Sequence, residues 1–337
     1  MGLPPNKKLS QATTKPAQNG KTNDVHVKIC RPKCIELIAM AANIYDKGKV
    51  NRLVFPAQAI RIISKQYILL AKNKYKDYDV VITLLLMNAS PSYYTSQQVT
   101  AIKKSIEKIK KDYPLSQIKE IRLCTVKTMA ELTNYVNTGN RYARQIYQIG
   151  HIDLFAHGHN GDISLGYNLK DEVDNGRKID VESMFFATKA TFSQWSVKAF
   201  HETAEFYTWA CRTGAPIEGD AKNRSLGYYI ACHLEIPVYG FVRRSDYVNT
   251  WGNDKDRSYL RLRCWRFLPD LVQDIEKCNR LRIEDEKRSM AMNDIGAVWM
   301  DNGAVYPVCS GSSPKELPAG YYLFSASSIE PKLVQNI

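Results

Sequence analysis

Two short stretches of the sequence each end an apolar run in a side chain that can take part in covalent catalysis. The stretch "IDLFAHGHNG" (Ile152–Gly161) places His157 directly before a glycine, and "EFYTWACRTG" (Glu205–Gly214) ends shortly after Cys211. An imidazole beside a thiol can take its proton and leave a thiolate, which is the stronger nucleophile. These residue types predict Cys211 as a nucleophile and His157 as its general base and acid, if the fold brings the two together.

Glycine beside the histidine adds a second chemical element. Gly158 lets the backbone turn sharply after His157 and present its N–H with no side chain in the way. That N–H and the N–H of Cys211 predict an oxyanion hole for an acyl-transfer intermediate, where one donor contributes about 3 kcal/mol to lowering the barrier. The predicted site is therefore His157 and Cys211 as catalytic residues and Gly158 and Cys211 as oxyanion donors, with no cofactor and no metal.

Alternating strand and helix patterns over residues 79–250 indicate how these residues would meet. Continuous apolar runs of strand length are typical of a sheet covered on both faces. Their alternation with helical patterns predicts an α/β fold, a three-layer α/β/α sandwich with a mainly parallel sheet. His157 would end the third strand and Cys211 the fourth, so both would emerge at the same edge of the sheet. The five predicted strands are "YDVVITLLLMNAS", "IKEIRLCTV", "HIDLFAH", "EFYTWAC" and "IPVYGFV".

Four helical segments are predicted between these strands. The helix over "TSQQVTAIKKSIEKIKKDY" is expected to begin at a cap formed by Thr95 or Ser96. A second helix, over "TMAELTNYVNTGNRYARQIYQIG", is expected to be interrupted at Gly139. A third covers roughly Val181–Ala204, and the fourth covers "NRSLGYYIACHLE".

Extensions flank this predicted catalytic core. Residues 1–24 are rich in Lys, Pro, Gln, Thr and Asn, which predicts a disordered basic N-terminus. Residues 25–78 are predicted to form a helical extension, because the patches "CIELIAMAANIYDKG" and "PAQAIRIISKQYILLAKNKY" both look helical. The second patch predicts one buried helix face, made by Ile60, Ile63, Tyr67 and Leu70.

Residues 251–337 are predicted to complete or cap the sheet. Asn302–Gly303 lies between two apolar runs in "GAVWMDNGAVYPV", which is a strong hairpin signal. The stretch "GYYLFSAS" predicts a further short strand.

Charge and cysteine content limit the classes of protein to be considered. The 47 Lys and Arg residues exceed the 34 Asp and Glu residues and give a net charge of +13. Without a nucleic-acid-binding motif, this charge gives only weak support for a polyanionic partner. Several of the eight cysteines lie in apolar runs, as expected of free thiols in a reducing compartment.

A cytoplasmic location at synthesis is predicted, because the N-terminus has no signal-peptide core and the run "VVITLLLM" is too short to span a bilayer. Export by a route independent of a signal peptide stays open.

The order and surroundings of the two reactive residues resemble those of the caspase-like cysteine peptidases, a group that includes caspases, metacaspases, legumains, gingipains and clostripains. The stretch "FAHG" matches the apolar-apolar-His-Gly motif of that group, and "WACRTG" resembles its Ala-Cys motif. The caspase histidine precedes the cysteine by about 50 residues, and the separation of His157 from Cys211 is similar. The resemblance covers roughly residues 79–245.

This resemblance implies an endopeptidase that acts on a protein or peptide substrate, in which His157 is the base and leaving-group acid and Cys211 is the nucleophile. Trp209 stands where other members have Gln, Asp or Glu, so the resemblance implies no residue preference. Trp209 and Arg212 are the predicted substrate contacts. Self-cleavage is expected in polar segments such as residues 168–178 or 243–258, and an activating partner or ligand stays open.

Other functions are compatible with parts of the pattern. The stretch "HGHNGD" would suit a metal-dependent hydrolase, but the further ligands such enzymes need are missing from suitable strands. An α/β-hydrolase would need a Gly-x-Ser-x-Gly elbow, and papain-like enzymes have Cys before His. His159 is a rival for the base but is expected in a loop, and the remaining histidines and Asp153 are expected to be structural, with Asp153 beside a basic group. The main alternative is a catalytically silent caspase-fold binding or scaffold protein with a basic surface.

Overall fold

The computed structural model describes residues 34–45, 53–88, 94–140, 144, 146–168, 185–246, 306–308 and 321–335, all of which lie in one folded unit, Pro32–Ile337. In chain order the strands are β1 (Cys34–Ala41), β2 (Asn43–Tyr45), β3 (Asp79–Met87), β4 (Ile118–Val126), β5 (Tyr147–Phe155), β6 (His157–His159), β7 (Asp162–Ser164), β8 (Gly166–Asn168), β9 (Phe186–Thr188), β10 (Phe200–Thr208), β11 (Val238–Phe241), β12 (Arg244–Asp246), β13 (Tyr306–Val308), β14 (Tyr321–Ser325) and β15 (Ser328–Gln335).

Helices form the rest of the described secondary structure. They are α1 (Val54–Ile62), a π-helical turn (Ile63–Tyr67), α2 (Ile68–Lys72), α3 (Ser96–Asp112), α4 (Met129–Thr138), α5 (Lys189–Phe192), a 3₁₀ turn (Val197–Ala199) and α6 (Leu226–Leu234). The predicted buried face of the segment from α1 to α2 is confirmed, since Ile60, Ile63 and Tyr67 are buried and Leu70 is partly buried against the core.

An eight-stranded sheet forms the centre of the molecule, in the order β15-β14-β11-β10-β5-β1-β3-β4. The six strands from β11 to β4 are parallel to their neighbours, and β14 and β15 extend the sheet in antiparallel pairing. The parallel strands have the 3-2-1-4-5-6 order of doubly wound α/β folds, in which functional groups collect at the carboxyl ends of the strands. The predicted α/β fold with a mainly parallel sheet is thus confirmed.

Helices flank both faces of this sheet. Tyr135 of α4 donates a hydrogen bond to Glu36 on β1. Tyr67 of the π-helical turn packs its ring edge-on against His151, the register partner of Leu37 on β1. Because Glu36 and Leu37 are successive residues of a strand, their side chains point to opposite faces, and the two helical elements therefore cover opposite faces. This layering agrees with the expected sandwich.

The helix predicted over Cys34–Gly48 is wrong, because Cys34–Ala41 forms β1, between β3 and β5 in the sheet. Ile35, Leu37 and Ile38 are all fully buried. A strand covered on both faces shows a continuous apolar run, which periodicity alone does not distinguish from a buried helix. Residues 34–45 are consequently part of the sheet and not a helical extension.

The long helix predicted over Val181–Ala204 is also wrong where the chain is described. It is replaced by β9, the single turn α5, the 3₁₀ turn and the first half of β10. The second predicted helix ends at Thr138, because Gly139 follows it with a φ of 76°, a left-handed conformation that glycine adopts at low cost. The residues of "YQIG" then begin β5.

The C-terminal predictions have a mixed outcome. The strand predicted in "GYYLFSAS" is confirmed as β14. β13 pairs with β12, while the remainder of the hairpin predicted at Asn302–Gly303 lies outside the described residues, as do residues 1–24.

Of the two residues predicted to cap α3, Thr95 and Ser96, the structure has Thr95 as the cap, within a capping box. The Thr95 side chain accepts a hydrogen bond from the Gln98 N–H, and the Gln98 side chain accepts one from the Thr95 N–H. Replacing Thr95 by alanine is expected to lower the free energy of unfolding by about 1 kcal/mol, because orphan N–H groups lose their partner. The matched control is Thr100→Ala, an exposed position inside the same helix, where alanine is expected to be neutral or slightly stabilising. Urea denaturation of both variants checks this, and equal losses would contradict it.

A buried ion cluster joins strands β1, β3 and β4 to α4. The carboxylate of Glu36, which is fully buried, lies between the guanidinium groups of Arg122 and Arg144, which are 7% and 4% exposed. Thr83 and Tyr135 donate further hydrogen bonds of 2.6 Å each to the same carboxylate. Burial opposes ionisation of Glu36, but the two arginines outweigh it and lower its pKa.

Candidate active site

His157 lies just past the carboxyl end of β5, at the start of the short strand β6. β6 pairs with β7 in a hairpin that turns at residues 160–161, and β9 adds a third strand to this small sheet. The His157 side chain is partly buried, and its ring packs edge-on against Phe55 of α1 with the centroids 5.2 Å apart. The predicted position of the base, at the end of a strand, is confirmed.

Cys211 lies in a turn that follows β10, the neighbour of β5 in the sheet. The segment after β11 supports this turn, because Arg243 O accepts a hydrogen bond of 2.9 Å from Arg212 N–H and Phe241 O accepts one of 2.9 Å from Gly214 N–H. From the other side, Thr213 O accepts a hydrogen bond of 2.8 Å from Gly227 N–H in α6. The cysteine is therefore presented by a backbone that is held from two sides.

A residue with a strained backbone directly follows the cysteine. Arg212 has a φ of 56°, in the left-handed region that residues with a Cβ seldom adopt. Strained residues of this kind persist where the surrounding structure determines the conformation, and they cluster at functional sites. The hydrogen bonds on either side of Arg212 provide that determination here.

Gly158 brings the histidine strand against the cysteine turn. A Cβ added at Gly158 would lie 2.3 Å from the Cys211 carbonyl oxygen, 3.0 Å from Ala210 Cβ and 3.2 Å from Cys211 N. The backbone of β6 therefore packs directly on the turn that carries the thiol, and only glycine allows this approach. The segments that carry His157 and Cys211 follow the carboxyl ends of neighbouring strands, as the sequence predicts.

The register of β6 against β7 indicates that the Gly158 N–H points away from β7. His159 and Asp162 face each other across the two-residue turn, so this pair exchanges hydrogen bonds. In an antiparallel ladder such pairs alternate with pairs that do not, and the next pair is Gly158 with Ile163. An N–H outside the ladder and beside the Cys211 backbone is what an oxyanion donor requires.

Replacing Gly158 by alanine is expected to lower the free energy of unfolding by about 1–3 kcal/mol, because the added Cβ must push β6 away from the Cys211 turn. It should also slow alkylation of Cys211. The matched control is Gly166→Ala, where the nearest atoms to an added Cβ are 3.9 Å away. Thermal denaturation and iodoacetamide labelling check both variants, and an unchanged Gly158→Ala protein would contradict the close approach.

Trp209 is held within the sheet two residues before Cys211. Its ring stacks on Tyr321 with centroids 5.0 Å apart, and it also stacks on Phe155. The indole Nε1–H donates a hydrogen bond of 2.7 Å to Asp153 Oδ1. The predicted substrate contacts of Trp209 and Arg212 stay predictions, but the indole has a structural partner that the sequence did not reveal.

Asp153 has the basic neighbour that the sequence predicts. Its Oδ2 lies 3.0 Å from His151 Nε2, and His151 Nδ1 lies 3.7 Å from Glu205 Oε2 on β10. Burial opposes protonation of His151, but the Asp153 carboxylate outweighs it and raises the His151 pKa. In return, hydrogen bonds from His151 and from Lys74 lower the pKa of Glu205 to about 2.

Stability is expected to depend on pH through His151. Because its folded-state pKa is raised, the stabilising contribution is fully present below the unfolded pKa of about 6.5 and is lost as pH rises through the folded value. The free energy of unfolding from urea titrations should therefore fall from pH 6 toward alkaline pH. In the His151→Gln variant, which cannot titrate at this position, that decline should be smaller, and identical profiles would contradict the assignment.

Two of the other described histidines, His201 and His233, have structural surroundings, whereas His159 lies in β6 and not in the predicted loop. His233 Nε2 lies 2.9 Å from Trp195 O, and His201 contacts Tyr78 and Thr203, although His201 lies in β10 and not in the predicted helix. His159 is 61% exposed and lies 3.5 Å from Asp162. His26 lies outside the described residues.

The described thiols differ in burial and pKa, and these differences can be used in labelling experiments. Burial is the main cause that raises the pKa of Cys34 to about 11, and burial also raises the pKa of Cys124. Both are therefore poor nucleophiles near neutral pH. Cys232 on α6 is partly buried like Cys211 and serves as a reference thiol.

Sequence reasoning missed three residues that shape the site. Phe55 packs against the His157 ring, Arg243 supports the cysteine turn through its carbonyl, and Tyr67 bridges β1 and β5. Tyr67 appears in the sequence only as a member of a helical apolar pattern, and Phe55 directly precedes that patch. No local signal marks Arg243, because its contact is made by the backbone.

Together, the fold and these residues define an α/β protein with a thiol and an imidazole at the carboxyl edge of a mainly parallel sheet. Comparison of the chain with models of known protein families and with curated proteins found no match. In the described part of the chain, no three His, Cys, Asp or Glu side chains are grouped so that they could hold a metal ion. Among the same residues, no helix is both long enough and apolar enough to cross a membrane.

Proposed function

We propose that this protein is a cysteine endopeptidase of the caspase-like type, with Cys211 as the nucleophile and His157 as the general base and acid. The observation that carries the proposal is the packing of Gly158 on the Cys211 backbone. It fixes the residue after the histidine and the turn of the cysteine against each other, at the strand ends where α/β folds place their functional groups.

The chemistry follows from these groups. His157 takes the Cys211 proton, and the thiolate attacks the peptide carbonyl carbon to give a tetrahedral intermediate whose oxyanion is stabilised by the N–H groups of Gly158 and Cys211. The intermediate collapses when the C–N bond breaks and His157 returns the proton to the leaving amine. A water molecule, deprotonated by His157, then hydrolyses the thioester, releases the carboxylic acid and restores the thiol.

The doubly wound strand order is also used by dinucleotide-binding proteins, which makes that function class a useful comparison. Those folds carry a G-x-G-x-x-G turn after the first strand, whereas β1 is followed here by "ANIYDKG". Among the described residues, a close approach of glycine to a neighbouring backbone is seen instead at Gly158, directly after the histidine and against the Cys211 turn. This placement favours acyl transfer.

Incubation of the purified protein with a diverse peptide library tests the proposal. Cleavage is expected with the wild-type protein and with Cys232→Ala, which removes a comparable thiol on α6, and it should be absent with Cys211→Ala. The fragments would show the residue preferred before the scissile bond. Full activity of Cys211→Ala would contradict the proposal, and silence of the wild type with slow alkylation of Cys211 would favour a caspase-fold binding or scaffold protein.

A further inference from the structure

A chain of polar contacts begins two residues before the nucleophile and runs inward along the sheet. Trp209 Nε1–H donates to Asp153 Oδ1 at 2.7 Å, and the other oxygen of this carboxylate lies 3.0 Å from His151 Nε2. Asp153 is fully buried and His151 is 4% exposed. A buried carboxylate with two such partners has a fixed orientation, and it therefore fixes the indole that it binds.

Neighbouring elements hold this carboxylate in place. The Tyr67 hydroxyl accepts a hydrogen bond of 3.2 Å from Asp153 N–H and donates one of 2.7 Å to Ile38 O on β1. On the other side of His151, Glu205 forms an ion pair of 2.8 Å with Lys74. The charged and titratable groups that face His151 are thus Asp153 from its own strand, Glu205 and Tyr207 from β10, and Tyr67 from the π-helical turn.

Trp209 connects this cluster to the end of β10. Its backbone N–H donates a hydrogen bond of 2.9 Å to Leu154 O, next to Asp153 on β5. Trp209 is therefore bonded to β5 through both its backbone and its indole, at the point where β10 leaves the sheet and turns toward Cys211. A shift of the indole is transmitted to the turn through only one intervening residue, the fully buried Ala210.

Building on the proposed peptidase function, we propose that Asp153 is a positioning residue for the nucleophile. It acts through the Trp209 indole to fix the end of β10 and, with it, the orientation of the Cys211 thiol toward His157. Neither Asp153 nor Trp209 takes part in the chemical steps. The reaction depends on the carboxylate as a hydrogen-bond acceptor, whereas stability depends on it as the partner of His151.

The hydrogen bond can be removed separately from the ring. In Trp209→Phe an aromatic ring is kept and the N–H donor is lost, which leaves Asp153 Oδ1 without that partner. The matched control is Trp195→Phe, because Trp195 also packs against β10, through Phe206, and its buried Nε1 has no hydrogen-bond partner among the described residues. Successive side chains of a strand point to opposite faces. Trp195 lies on the face of β10 that carries Phe206, and Trp209 lies on the face that carries Tyr207, so the two tryptophans are on opposite faces.

The two roles of the carboxylate can also be separated. In Asp153→Asn a side-chain oxygen still accepts from the indole, but the charge that pairs with His151 is lost. In Asp153→Ala both are lost. If Asp153 had only a structural role, the reactivity of Cys211 would fall in proportion to the loss of stability in each variant. If Asp153 is a positioning residue, the reactivity depends instead on whether residue 153 still accepts the hydrogen bond from the indole.

The experiment measures iodoacetamide alkylation of Cys211 at pH 7 by peptide mapping, with Cys232 as the internal reference and the unfolding temperature recorded for each variant. Trp209→Phe and Asp153→Ala are expected to slow the alkylation of Cys211 about tenfold, because the thiol is no longer oriented toward the base that takes its proton. Trp195→Phe and Asp153→Asn should keep most of the wild-type rate, although Asp153→Asn unfolds at a lower temperature. The double variant Trp209→Phe/Asp153→Ala should be no slower than either single variant.

Two different results would overturn the inference, and they are distinguishable. If wild-type Cys211 reacts no faster than Cys232, the dyad is not functional and the proposed function fails together with the positioning role. If wild-type Cys211 reacts fast but Trp209→Phe behaves like Trp195→Phe, or Asp153→Asn slows the thiol as much as Asp153→Ala, the positioning role alone is overturned.

Discussion

Replacing His157 by alanine is expected to lower kcat on a cleaved peptide by about 10²–10⁴-fold, the range that a general acid–base residue contributes. The variant should also alkylate more slowly at Cys211, because the thiol loses the proposed base that takes its proton. Both effects rest on the packing of Gly158, the residue after His157, against the turn that carries Cys211. Peptide hydrolysis and iodoacetamide labelling measure them independently.

The matched control is His159→Ala, since this histidine lies two residues further along β6 and is 61% exposed. It should leave both rates close to those of the wild type. If His159→Ala lowered the two rates more than His157→Ala, the base would be His159 and the proposed dyad would be contradicted.

Replacing Glu36 by glutamine is expected to give the largest loss of stability, about 3–5 kcal/mol, because two buried guanidinium groups lose their common carboxylate. A loss of this size is a large fraction of the 5–15 kcal/mol that typically stabilises a folded domain. The side chains keep nearly the same volume, so the effect reports charge and hydrogen bonding and not packing. Urea denaturation at pH 7 measures it.

Glu120→Gln is the matched control, because the same change is made at the other carboxylate near Arg122. Glu120 is 28% exposed and lies 3.5 Å from Arg122, so its loss should cost at most about 1 kcal/mol. Since the pKa of Glu36 is lowered in the folded state, its contribution is present above the unfolded pKa of about 4.3 and is lost as pH falls through the folded value. A Glu36→Gln variant as stable as Glu120→Gln would contradict this account.

The sheet and the placement of His157 and Cys211 after neighbouring strands were accessible to sequence reasoning for a physical reason. Most of the predicted strands contain a short apolar run, although "IKEIRLCTV" carries three charged residues, and the parallel order then puts His157 and Cys211 at the same edge. Thr95 was identifiable because a capping box is a local pattern of only four residues. Gly158 was identifiable as an unusual neighbour of a reactive side chain, although the atoms it approaches were not.

The errors in the predicted elements have equally specific causes. Cys34–Ala41 lacks the alternation that marks a half-buried strand, because both of its faces are covered. The region before β10 contains residues that favour helix, but only the single turn α5 and a 3₁₀ turn form there. Contacts with distant parts of the chain override weak local preferences in both places.

The sequence by itself determined the alternating elements, the reactive residue types and their order, because these depend on local propensity and periodicity. Only the tertiary structure decided which groups surround them. The backbone of Arg212 is strained, and its N–H is bonded to the carbonyl of Arg243, which is distant in the chain. The hydrogen bond from Trp209 to Asp153 likewise joins residues that are distant in the chain. Such contacts depend on the register and packing of neighbouring strands, which leave no local pattern in the sequence.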